Sequence, residues 1–138
     1  MPTIEMGGST GASAAGTGAK APPTPAPGLT VDPRVPGQNY LHLAGRLSRS
    51  EATRAAAYLT ERGQPAIAVG MDSGTLQGNN TEKFWLISLF DVPVGRFNAM
   101  EGQRGVHVVR IAALGEIWAR DHSGTVSFHD SYWVKYDP

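Results

Sequence analysis

The chain has 138 residues with no cysteine, 12 basic and 12 acidic side chains, 17 glycines and 10 prolines, which points to one domain at most. The missing cysteines exclude a disulfide scaffold, a thiolate zinc site and a cysteine nucleophile while leaving the redox compartment undecided. A formal charge of zero argues against a nucleic-acid binder, whose affinity rests on neutralising many phosphates.

The first 33 residues carry six glycines, six prolines, six alanines and seven serines or threonines. Such a composition buries too little apolar surface to offset the entropy of ordering it. APPTPAPG from Ala21 to Gly28 adds polyproline stiffness, so residues 1–33 read as a disordered spacer, with an aromatic-groove ligand as the alternative. These residues lack the basic start and apolar run of a secretory signal, and no window of the chain has the ~18 to 20 consecutive apolar residues of a membrane helix. The folded domain is expected over 34–138, where 11 basic and 10 acidic residues remain.

Within it, NYLHLA (39–44) alternates as a strand, with Leu41 and Leu43 on one side and Tyr40, His42 and Ala44 on the other. LSRSEA then signals a helix start: Ser48 as N-cap, Glu51 as its capping-box partner, and Leu47 with Ala52 as a hydrophobic staple. Ala52, Ala55, Ala56 and Leu59 recur at helical spacing, and Gly63 suits a left-handed cap, which predicts a helix over 48–62. PAIAVG (65–70) is a second strand, and the Gly, Asn and Asp residues of 71–82 mark a loop.

FWLISLF (84–90) is the densest strand signal and is apolar on both sides, so it should sit centrally. Taking Trp85, Ile87 and Leu89 as core places Phe84, Leu86, Ser88 and Phe90 outside; a slip of one residue exchanges the sets. A second helix is predicted over 104–121, with Val106, Val109, Ala113 and Ile117 as its packed stripe and Leu114 and Trp118 beside it. Gly105 and Gly115 weaken that helix. The tail 125–136 reads as a last strand with a bulge near His129 and Asp130.

Strand, helix, strand, strand, helix, strand is the split βαβ pattern of the ferredoxin-like α+β class: a four-stranded antiparallel sheet with two helices on one face. The other face must be dressed in polar or functional groups, or serve as packing under the tail.

NYLHLAGRLSRSEATRAAAYLTERGQPAIAV resembles the first half of a SPOR (sporulation-related repeat) domain. PGQNYLHLA, FWLISLF and LGEIWARDHSGTVSFHDSYWVKY resemble the divergent SPOR-like domains of planctomycete-type bacteria, so the similarity covers about residues 37–136. The resemblance implies a βαββαβ module that binds peptidoglycan glycan strands stripped of stem peptides, in the cell envelope or periplasm and at division sites, carried by a flexible linker. Where the family commonly has an outward glutamine, a nearby serine and an outward aromatic, this chain has His42, Gly45 or Arg46 with Ser48 nearby, and Phe84 with Trp85 beside it. Residues expected to contact glycan are Tyr40, His42, Phe84, Leu86, Ser88 and Trp133, because a pyranose C–H face stacks on an aromatic ring and polar groups then orient it.

Catalytic signatures are missing from the folded domain: over 34–138 there is no GxSxG elbow, no GxGxxG after a strand and no HExxH. His42, His107, His122 and His129 lack tight metal spacing, and Asp121, Asp130 and Asp137 read as solvated surface. The expectation is a non-enzymatic module without metal or cofactor. The rivals are a ferredoxin-like domain that pairs with protein, including a homodimer, through the same sheet face, and a small-molecule sensor with a ligand at a dimer edge.

Overall fold

A computed structural model describes residues 31–138; the spacer expected over 1–33 lies outside them except for its last three residues. Four strands and two helices follow in the order β1 (Asn39–Leu47), α1 (Arg49–Glu61), β2 (Ala66–Gly70), β3 (Phe84–Ser88), α2 (Glu101–Asp121) and β4 (Tyr132–Lys135). The strands form one sheet in the order β2-β3-β1-β4, with every neighbouring pair antiparallel. This is the ferredoxin-like split βαβ arrangement, α+β in class, with both crossovers passing over one face.

Helix α1 begins where Ser48, in extended conformation, accepts a hydrogen bond from the Glu51 N–H at 3.1 Å. The Glu51 carboxylate does not return to Ser48 but accepts from the N–H and Oγ1 of Thr125, at 2.7 and 2.8 Å. The first turn of α1 is thereby tied to the chain after α2. At the other end Gly63 has φ +83°, and the N–H groups of Gly63 and Gln64 reach the carbonyls of Thr60 and Leu59. That is a Schellman closure, which only a residue tolerant of positive φ completes without strain. The alanine face is buried as its spacing predicts: Ala52, Ala55 and Leu59 are sealed against Leu41, Leu43, Leu47 and Leu86.

Helix α2 starts at Glu101 rather than 104, and its packed side differs from the predicted stripe. The buried residues are His107, Ile111, Gly115 and Trp118, whereas Val106, Val109, Ala113 and Ile117 face outward. Gly115 explains the choice: a Cβ there would lie 1.8 Å from the Ser127 carbonyl oxygen, so the helix approaches the following chain through the one position without a side chain. The predicted long last strand is also shortened. Only Tyr132–Lys135 pairs with β1, and Val126 to Asp130 instead hook back over α2, with Phe128 at φ +64° and buried in the core.

Candidate functional site

The two faces of the sheet are assigned by cross-strand register. On β1, Leu41 and Leu43 point toward the helices while Tyr40 and His42 point away, as the alternation requires. On β3 the register is one residue from the expected one. Phe84 and Leu86 lie in the helix-side core with Leu41 and Leu43, and Trp85 and Ile87 lie on the opposite face with Tyr40 and Val69.

Ser88, also on the helix side, has its Oγ 2.7 Å from His107 Nε2. Trp133 pairs with Leu41 and shares the helix side, edge-on to Phe90 and Phe97. Of the six residues expected to contact ligand, Tyr40 and His42 therefore lie opposite the helices, and Phe84, Leu86, Ser88 and Trp133 do not. β3 is apolar on both sides, so its sequence carries no marker of orientation. Its one polar residue, Ser88, is buried because His107 satisfies it, not because it meets water.

The face opposite the helices is half covered. Tyr40, Ile67, Val69 and Ile87 form a second buried cluster, with Leu76 of the 71–82 loop and Tyr136 packed on it. That loop is organised around one carboxylate. Glu82 accepts hydrogen bonds from the backbone N–H groups of Asp72, Ser73 and Asn79 at 2.7, 2.9 and 2.6 Å. These backbone donors, the Ser73 bond foremost, hold the carboxyl down to about 2. Gly70 and Gly78 leave the space, since a Cβ at either would press within 2.6 Å of the Glu82 or Phe84 side chain.

Beside it, residues 32–38 run along the C-terminal chain: Gly37 N–H donates to the Tyr136 carbonyl and Tyr136 N–H to the Gln38 carbonyl, both at 2.8 Å. Tyr40 Oη accepts from Val35 N–H at 2.7 Å, and the Arg34 guanidinium, paired with Asp32, stacks 4.0 Å over the Tyr136 ring.

The remaining half of this face carries three aromatic rings. His42 and Trp85 are edge-to-face with centroids 5.0 Å apart, Tyr132 is 5.9 Å from His42 and 6.5 Å from Trp85, and Tyr132 is 50% exposed. Trp85 lies flat over β1 because residue 45 is glycine: a Cβ there would stand 2.5 Å from the indole. Burial, followed by the nearby Arg34 cation, pushes His42 down to about 4, so the imidazole is neutral at pH 7 and both donates and accepts. Its Nδ1 is buried with no partner among the described residues.

A cavity of about 430 Å³ opens beside these rings, floored by His42, Val69 and Val134, walled by Trp85 and Tyr136, and rimmed by Arg34, Ser73, Lys135 and Asp137. Apolar rings with a ring of polar groups at the edge suit a ligand that is flat and apolar on one side and hydroxylated on the other.

The helix side offers one further pairing with catalytic residue types, Ser88 and His107, and its geometry is structural. Ser88 is 1% and His107 2% exposed, Phe90 stacks on the imidazole at 4.3 Å, and His107 Nδ1 has no partner to orient it. Burial, with a smaller contribution from Arg110, pushes His107 down to about 4. Among the described residues no group of three or more His, Asp or Glu side chains is placed to hold a metal, and no helix is long and apolar enough to cross a membrane. Comparison with protein-family models, curated proteins and solved structures returned no match.

Sequence reasoning missed Trp85 and Tyr132. The available signal was Gly45: a glycine within a strand, across from a tryptophan, marks a large ring lying over the backbone.

Proposed function

We propose that this chain is a non-catalytic module that binds peptidoglycan glycan strands through the sheet face opposite its helices, in a cell-envelope setting. The observation that carries the reading is the Trp85, His42 and Tyr132 cluster on the uncovered half of that face, bordered by a polar-rimmed cavity. Trp85 supplies the stacking ring, Tyr132 a second ring with a hydroxyl, and His42 a neutral donor and acceptor for sugar hydroxyl or amide groups. The resemblance of 37–136 to SPOR domains points to the same ligand class, with Trp85 taking the part first given to Phe84.

Pairing through this face, the rival use, fits less well. Tyr40, Ile67, Val69 and Ile87 are already 3% exposed or less under the chain's own loop and terminus, so little bare apolar sheet is left for a partner.

Sedimentation of the protein with amidase-treated sacculi tests the reading. Trp85→Ala should weaken binding by about 5- to 150-fold, the equivalent of ~1 to 3 kcal/mol for a lost stacked ring, and Tyr132→Ala by less. A folded Trp85→Ala that sediments like the parent protein excludes it.

A further inference from the structure

A second cavity, of about 580 Å³, is lined by the same Trp85 indole that walls the first. Tyr132 and the hook that precedes it, Thr125 to Asp130, form its far side. The hook is pinned along its length: the Glu51 carboxylate holds Thr125, the Ser127 carbonyl rests on α2 at Gly115, and Phe128 is 2% exposed in the core. Phe128 is buried at φ +64°, a conformation that disfavours a bulky non-glycine residue, so the surrounding contacts outweigh backbone strain here. What this arrangement presents is polar. His129 and Asp130 follow directly, both line the cavity and both are exposed, and His129 Nε2 is 3.3 Å from a Glu116 carboxylate oxygen.

We propose that this cavity is a second subsite for the same glycan strand, so that the strand is read over four sugars rather than two. The inference rests on the glycan reading above and adds to it a length requirement and two residues, His129 and Asp130, on which that reading does not draw. Trp85 borders both cavities, so a sugar stacked on it has neighbours on two sides, one toward Arg34 and Lys135 and the other toward Asp130. A cavity of ~300 to 1,000 Å³ holds one drug-sized ligand, about a disaccharide, and two of them sharing one ring call for two disaccharide units. The second cavity also repeats the chemistry of the first. Tyr132, 50% exposed, offers a ring to an apolar sugar face. The Asp130 carboxylate accepts from two neighbouring hydroxyls, and the His129 imidazole meets hydroxyl or amide groups. The pinned hook sets both side chains in place before ligand arrives, which spares the entropy of ordering them on binding.

The test is calorimetric and amide NMR titration of the full chain with oligosaccharides of two and four sugars cut from peptide-free peptidoglycan. The four-sugar ligand should bind at least tenfold more tightly and shift the amides of Ser127 to Asp130, whereas the two-sugar ligand shifts those around His42 and leaves the hook unmoved. Asp130→Ala and His129→Ala, both at exposed positions, should each weaken the four-sugar ligand at least threefold and leave the two-sugar ligand within twofold. Equal affinity for the two ligands, a hook unshifted with four sugars bound, or an equal loss on both ligands in Asp130→Ala overturns the second subsite and leaves the aromatic cluster standing as the binding site. If neither oligosaccharide binds, the glycan reading itself falls and the subsite with it.

Discussion

The two sides of the sheet come from the same alternating strands, yet each has a histidine beside an aromatic ring with a different outcome. On the helix side His107 is closed in by Ser88, Phe90 and the body of α2, and it is 2% exposed. On the opposite side His42 sits against Trp85 and Tyr132 at the floor of an open cavity. Burial lowers the proton affinity of both rings to a similar degree. The two sides are separated by what covers them: two helices on one, and a carboxylate-centred loop with a terminal strap, reaching half way, on the other. Residue type alone therefore does not tell the sealed histidine from the open one in this fold, whereas the extent of cover does.

The comparison is broken most sharply by truncating neighbouring rings of β3. Phe84 is 1% exposed within the helix-side core, so Phe84→Ala is expected to cost about 3 to 5 kcal/mol. Trp85, one residue on and only partly buried, should cost about 1 to 2 kcal/mol on truncation, because its ring already meets solvent over Gly45. Urea denaturation of both variants decides it. Equal losses would mean that the two sides are equally sealed.

Acid sharpens the comparison next. His107 holds its proton only below about 4, against 6.5 for the free side chain, so the unfolded chain takes up the proton first as pH falls. Stability from this group is complete above pH 6.5, declines between 6.5 and 4, and is then fully lost, a change on the order of 3 kcal/mol. His42, likewise lowered to about 4, contributes in the same window. His107→Gln and His42→Gln should each flatten the slope of stability against pH over that window, as read from denaturation midpoints at pH 7, 5.5 and 4.

Much of the first half of the domain is legible in the sequence because its signals are local. Ser48, the alanine ridge, Gly63 and the alternation of β1 each act within a few residues. The second half is set by contacts between distant positions. Ser88 takes its side from His107, and α2 takes its packed stripe from Gly115, whose value lies in having no side chain against Ser127. A count of apolar residues credits Val106, Val109 and Ile117 and passes over His107 and Gly115, so it selects the wrong face of α2. The aromatic cluster was half legible: the alternation of β1 places His42 opposite the helices, and Gly45 was the one local sign that Trp85 lies across from it.

The cover on the open side has its own acid window. Glu82 is held near 2 against 4.5 for the free side chain, so its contribution is complete above pH 4.5 and is lost as pH falls toward 2. Glu82→Gln should remove that part of the acid transition and lower the melting temperature at pH 7 modestly. The loop amides of Asp72, Ser73 and Asn79 should exchange faster while those of α1 do not change. An effect spread evenly over the domain would mean that the loop and the core unfold as one unit.

The smallest effect belongs to the outward side of α2. Val109 is 69% exposed on a helix whose packed residues are His107, Ile111 and Trp118. Val109→Ser removes an apolar side chain that has little contact to lose, and serine and valine differ little in helix propensity. Stability should stay within about 0.5 kcal/mol of the parent protein. Ile111→Ser, two residues on and fully buried, puts a hydroxyl into the core and leaves a cavity, so it should cost several kcal/mol. The pair reads out which face of α2 packs on the sheet. Had the Val106, Val109 and Ile117 stripe been the buried one, the order of the two losses would reverse, and with it the placement of His107 beside Ser88.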